Sequence, residues 1–431
     1  MLNVPKRFLL LSFILIPLSL LPQAWSSVGG GLNGGVGVTT LFVDTATGEL
    51  YAGGDFLLAG GNPANCIAKW NGSSWSAMGS GLNGFVMAIT RFQGDIYAGG
   101  LFSASGATQV NQIARWNGSQ WVSLGQGTNG FVYSLAEYNN ELYVGGGFTI
   151  AGGLPSPFLA RWDGNSWLPA PIEPDSTVLT MLPWNNNLYL GGDFNFLDSI
   201  PCSKVGFYNG IIPDSLGPGF DTVVYHLNVF NNQLIAGGDF GNSGNQSLPY
   251  IAAWNGSQWS ALGNGLSGFV GGMNVFNGEL WVTGGCQTGG TGTLNYVARL
   301  DGNGQWQQID GGFNSLGWSL KEFQNSLYAG GFFATAGSSA SKFVTRLNTS
   351  SGTNEFSSGV PTVYPNPCFG KLIIGNAGNA PENWKFLAPD MRLLLEGQSR
   401  DVNLESYPPG IYFLHFPGKN ILQKVVLING Q

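Results

Sequence analysis

Charge is what this chain has least of. Only 10% of its 431 residues are Asp, Glu, Lys or Arg, and the formal net charge is −7. A thinly charged, negative surface argues against nucleic acid as a partner. Histidine occurs twice, at His226 and His415, and cysteine four times, at Cys66, Cys202, Cys286 and Cys368. The cysteines stand in no CxxC-type spacing and suggest neither a zinc site nor a disulfide framework. HExxH, EF-hand and nucleophile-elbow patterns are missing too, so no catalytic, cofactor-binding or metal-ligating residue is assigned. After residue 21 no segment approaches about 18 apolar residues, the least that comfortably spans a membrane. A helical period is also lacking.

What the chain has instead is glycine and aromatic rings. Gly accounts for 68 residues and aromatics for 13%. Disordered low-complexity chains are Gly-rich but poor in aromatics, so this composition belongs to a folded protein. The N-terminus reads as a secretory signal peptide over residues 1–24. Lys6 and Arg7 precede the apolar run Phe8–Leu21, which is too short for a membrane span. Cleavage after Ala24 and cleavage after Ser26 both fit. No Cys follows the run closely, which argues against a lipoprotein anchor.

"LYAGGDF" at Leu50 returns as "IYAGGLF", "LYVGGGF", "LYLGGDF", "LIAGGDF", "LWVTGGC" and "LYAGGFF". Aligned on the second Gly (Gly54, Gly100, Gly146, Gly192, Gly238, Gly285, Gly331), the steps are 46, 46, 46, 46, 47 and 46 residues. Such a period means a repeat architecture. Within one copy, "VMAITRF", "IYAGG", "IARW" and the Trp-led "QWVSL" read as four short strands joined by Gly and Asn turns. Four strands in one such step make a propeller blade. The last copy stops at Asn348 without its Trp-led strand, and Trp25 opens an isolated strand of that type. The N-terminal strand is therefore expected to close the ring, giving a seven-bladed β-propeller over 25–348 in an all-β chain.

"LYAGGDF…IAKWNGSSWSAMGSGLNG" resembles kelch-type propeller repeats, and the repeats of fungal surface proteins and secreted bacterial relatives. The resemblance implies the fold and says little of activity. GGDF is also close to the signature of diguanylate cyclases, but the required Glu is absent. Leu101, Gly147, Cys286 and Phe332 stand where Asp55, Asp193 and Asp239 stand. Tryptophans repeated in most copies read as packing between sheets, not as sugar platforms.

Function is expected where copies differ. The fourth and fifth repeats carry irregular stretches with Glu173, Asp175, Asp193, Asp198, Asp214, Asp221 and Asp239, opposed only by Lys204. This acidic sector is a candidate for a cation or a basic partner, set against a solvated surface. Trp184 and His226 are irregular in the same sector.

A polar linker, 349–360, leads to a different texture. Short strands between Gly and Pro turns over 361–431 suggest a small Ig-like β-sandwich. "YPNP" at Tyr364, Pro365, Asn366 and Pro367, then Gly370, then "PPGIYFLHF" with Gly410, Ile411 and Tyr412, closely resemble the type IX secretion sorting domain of Bacteroidetes. The resemblance implies partners in the outer-membrane translocon and its sortase, and a secreted or cell-surface location. The chain is then expected to be a binding or adhesion module for an extracellular glycan or protein. The alternative is a carbohydrate-active enzyme with acids from different blades converging at the channel mouth.

Overall fold

The structure is a computed structural model. It describes residues 23–290, 292–348 and, beyond them, 362–364, 371–375, 383–388, 392–398, 401–408, 410–416 and 421–427. Residues 1–22 of the leader, the 349–360 linker, Pro365, Asn366, Pro367, Cys368 and Gly370 lie outside the described residues. Every regular element described is a β-strand. Contacts divide the chain into two units, 1–350 and 351–431.

In the first unit each repeat forms one four-stranded antiparallel sheet, seven among the described residues. The second is typical: Phe85–Phe92, Asp95–Leu101, Ile113–Trp116 and Trp121–Ser123 pair in chain order. Tight turns join the first two strands of each sheet. In the third, Asn139 and Asn140 take φ of 51° and 61°, the left-handed pair that a two-residue hairpin demands and that Asn tolerates. The variable stretch before the third strand folds into a short hairpin of its own, such as Ala104–Ser105 with Thr108–Gln109.

The Gly-Gly pair serves two contacts. A Cβ on Gly53 would stand 2.6 Å from Val86 Cγ1 in the next sheet, and one on Gly237 would stand 2.7 Å from Val270 Cγ1. A Cβ on the second Gly would collide with the carbonyl of the sheet's own first strand, as at Gly100 with Phe85. The series returns on itself, because Gly330 of the seventh sheet abuts Val38 of the first. The first strands likewise pack each on the next, and the seventh, Gly317–Phe323, packs on the first, Gly37–Asp44. The repeated units and their closed order are consistent with a propeller.

The sixth sheet corrects the expected alignment. Val270 pairs with Gly284, so Thr283-Gly284 takes the Gly-Gly place and Gly285 does not. Buried Cys286 then stands where Phe56, Phe102, Phe148, Phe194, Phe240 and Phe333 stand, all core residues. The seventh sheet compensates: Gly317 replaces the usual Val, and a Cβ there would collide with Thr283 Oγ1.

The seventh sheet takes its fourth strand from the far end of the chain. Ala24–Ser27 pairs antiparallel with Val344–Asn348, with Trp25 opposite Leu347. In four other sheets the fourth-strand Trp donates Nε1–H to a carbonyl of the preceding repeat: Trp75 to Val28 at 3.0 Å, Trp121 to Met78 at 3.1 Å, Trp167 to Leu124 at 2.7 Å and Trp259 to Leu216 at 2.8 Å, whereas Trp306 Nε1 of the sixth is buried without a partner. Trp25 makes the same bond to Ile309 at 3.3 Å, and its backbone N–H donates to Asp310 Oδ2 at 2.7 Å. These tryptophans are buried between sheets.

The second unit has a three-stranded sheet (Thr362–Tyr364, Lys371–Gly375, Asp401–Asn403) and a four-stranded one (Leu393–Gly397, Trp384–Leu387, Gly410–Phe416, Ile421–Leu427). Leu372 and Val402 of the first share a core with Trp384, Phe386, Leu414 and Val425 of the second.

Candidate ligand site at the mouth of the ring

A β-bulge interrupts the first strand of each repeat sheet opposite the Gly-Gly place. Bulges re-aim a side chain. The bulged residues are Thr39, Met87, Tyr133, Leu179, Tyr225, Gly271 and Trp318, and all but Gly271 are half-buried. They are the second or third residue of each first strand, so they share one end of the closed series of strands, its mouth.

On the fifth and seventh sheets two of these positions, with Phe269 just ahead of the sixth sheet's first strand, build an aromatic cluster. Tyr225 lies 5.8 Å from Phe269 and 6.0 Å from Trp318 between ring centroids, and Phe269 lies 5.8 Å from Trp318. Phe332 adds an edge to Trp318 at 6.1 Å. Tyr225 and Trp318 belong to sheets separated by a whole repeat. They meet because the intervening strand carries Gly271 and Gly272. A Cβ on Gly271 would sit 3.2 Å from Trp318 Cε3, and one on Gly272 would collide with the Trp318 carbonyl.

Polar groups flank the cluster. Burial, then the Asp239 and Asp193 carboxylates, push the Tyr225 phenol above its ordinary value. Deeper along the same strands stand His226 and Lys321. Burial, and then the nearby Lys321 ammonium, push His226 down to about 3, so the imidazole is neutral. Its buried Nδ1 has no hydrogen-bond partner. Burial also pulls the Lys321 ammonium below its ordinary value. Among the six ion pairs of the described residues none includes Lys321.

The seven acids read from the sequence do not converge on one point. Asp175 Oδ1 accepts N–H bonds from Asn195 and Phe196 at 2.7 and 3.0 Å, and Asp221 Oδ1 accepts from Gly241 and Asn242 at 2.9 and 3.1 Å. Asn83, Asn129 and Asn314 make the same pair of bonds in other repeats. Burial raises the Asp221 carboxyl, but the Asn242 side chain and the two amides outweigh it and hold it low. Asp198 accepts the Glu173 amide at 2.7 Å, and Asp214 accepts that of Ser215 at 2.7 Å. Asp193 pairs with Lys204 at 2.9 Å. Asp193 and Asp239 alone bear on the aromatic cluster. Asp55, the third GGD acid, lines a groove between the first two repeats. Among the described residues no group of three or more His, Cys, Asp and Glu could hold a metal ion. Trp184 tilts against Tyr189 at 5.7 Å between ring centroids.

In the second unit Tyr364 ends a strand paired with Lys371–Gly375. Gly410, Ile411 and Tyr412 open the strand Gly410–Phe416. Tyr412 is a core residue: its ring stacks on Phe386 at 4.9 Å and its hydroxyl donates to the Pro408 carbonyl at 2.8 Å.

Sequence reasoning found His226 but missed Tyr225, Phe269, Trp318, Lys321 and the Gly271-Gly272 pair. The signal was a single column of the repeat, the bulged residue itself, where Thr, Met, Leu and Gly alternate with Tyr and Trp.

The fold defines an all-β chain of repeated four-stranded antiparallel sheets with a smaller two-sheet unit after it. No family model and no curated protein matches it. Among solved structures, the crystal structure of the computationally designed Ika8 protein aligns over 92% of this chain and 98% of its own, at 13% identity and a TM-score of 0.45. A likeness that loose carries nothing about function across.

Proposed function

We propose that the chain is an exported binding module: a seven-bladed β-propeller closed by its N-terminal strand and delivered to the cell surface by an Ig-like C-terminal sorting domain. The observation that carries the binding role is the aromatic cluster at the mouth. Tyr225, Phe269 and Trp318 are half-buried rings gathered from three sheets over a glycine pair. Core rings are normally covered completely; these keep part of their surface open. The ligand is an extracellular glycan or protein. Export rests on the basic-then-apolar leader, and delivery on YPNP with PPGIY. The type IX translocon and its sortase are the partners that resemblance implies.

The runner-up is a carbohydrate-active enzyme, which draws on Asp193 and Asp239 beside Tyr225. It is the weaker reading because Lys204 already neutralises Asp193.

Delivery is tested by deleting residues 361–431 in a host that carries the secretion machinery. The full chain is expected to be reached by protease added to intact cells, and the truncated chain to be folded but protected in the periplasm. Surface display of the truncated chain would sink the delivery role.

A further inference from the structure

The aromatic cluster does not stand alone on the wall of the ring. One residue beyond Tyr225 is His226, and three beyond Trp318 is Lys321, on the first strands of the fifth and seventh sheets, close enough for the ammonium to act on the imidazole. Lys321 is half-buried and makes no ion pair among the described residues, in a chain with only 10% charged residues. A cation taken out of water without a counter-charge is costly. His226 Nδ1, by contrast, is fully buried and has no partner. A buried imidazole nitrogen without a partner, close to a half-buried ammonium without an ion pair and next in sequence to one of the aromatic rings, calls for an explanation.

We propose that this wall receives a sugar acid, with the sugar ring against Tyr225, Phe269 and Trp318 and its carboxylate on Lys321. His226, neutral, supplies a hydrogen bond to the acid or to a neighbouring hydroxyl. One ammonium beside a neutral imidazole supplies a single positive charge, which matches a carboxylate better than a doubly charged phosphate. Burial that lowers the Lys321 pKa is offset when a carboxylate arrives, so acid binding and retention of the ammonium support each other. At the mouth Asp193 is already paired with Lys204. The inference rests on the reading of the chain as an extracellular binding module and narrows its ligand.

The test is calorimetric titration of the full-length exported chain with trigalacturonate and with its neutral counterpart, galactotriose. The wild type is expected to prefer the acid. Lys321→Met keeps the side-chain length and removes the charge. It should weaken trigalacturonate by roughly thirtyfold and leave galactotriose unchanged, at an unchanged or higher melting temperature. Trp318→Ala should weaken both sugars together. Equal binding of the two sugars, or a preference that survives Lys321→Met, overturns the sugar-acid inference and leaves the binding module standing. Failure of both sugars to bind the wild type overturns the inference and the glycan half of the proposed function with it.

Discussion

Asp175 and Asp221 occupy the position that Asn83, Asn129 and Asn314 hold in other repeats, and all five accept two backbone N–H bonds from the next hairpin. What the position needs is an oxygen on a short stem, not a negative charge. Asp175→Asn should therefore shift stability by less than about 0.5 kcal/mol. Asp175→Ala strands two amides and should cost about 1–3 kcal/mol. Urea unfolding of the two variants decides it: an Asn variant as weak as the Ala variant would give the charge a task of its own. The sequence shows the acids plainly but not their partners. Each partner lies about twenty residues on, across a hairpin whose pairing is set by packing. The opposite holds for the Phe that ends the motif. It recurs in six copies and is core in all six, so its role was legible from repetition alone.

Strands and turns were legible because each copy alternates short apolar runs with Gly and Asn. Register was not. In the sixth sheet the visible Gly284-Gly285 pair suggests one alignment, while the bulge in Val270–Phe276 sets another by pairing Val270 with Gly284. A bulge leaves no mark in composition, so a one-residue shift is invisible until the strands are paired. The structure also shows its compensation: Thr283 fills the space that Gly317 vacates, and Thr283 Oγ1 donates to the Tyr296 carbonyl at 2.7 Å. Gly317→Val alone should therefore destabilise through overpacking, by about 1–3 kcal/mol. Adding Thr283→Gly, which restores the arrangement of the other sheets, should recover much of that loss. A double-mutant cycle measures the coupling, expected to exceed about 0.5 kcal/mol. Additive losses would mean the two residues do not share the space.

For the whole molecule, the phase of the repeats foretold which strand would complete the seventh sheet, while the gathering of rings from three repeats into one cluster could not be foreseen, since it needs side chains two repeats apart to meet. Under the proposed export, the same closing strand bears on where a leader would be cut. Trp25 is 3% exposed, and its nitrogen lies 2.7 Å from Asp310 Oδ2. Cleavage after Ala24 would turn that amide into an ammonium facing a carboxylate. Cleavage after Ser26 would discard the buried ring. The exported protein is expected to begin at Trp25, and intact-mass measurement checks this; a start at Ser27 would refute it. Asp310→Ala should lower the melting temperature of the processed chain. The closing strand also sets an order of events. Ser26 and Asn348 are 322 residues apart in sequence, so the earlier strand must wait for a partner synthesised long after it. Each sheet can form from its own neighbours, but an unclosed arc of sheets exposes two unpaired strand edges, which invite pairing with another chain. Loop closure grows costlier only slowly with length. The vulnerable interval is therefore governed less by the size of the ring than by how long its first few residues are kept from meeting its last strand.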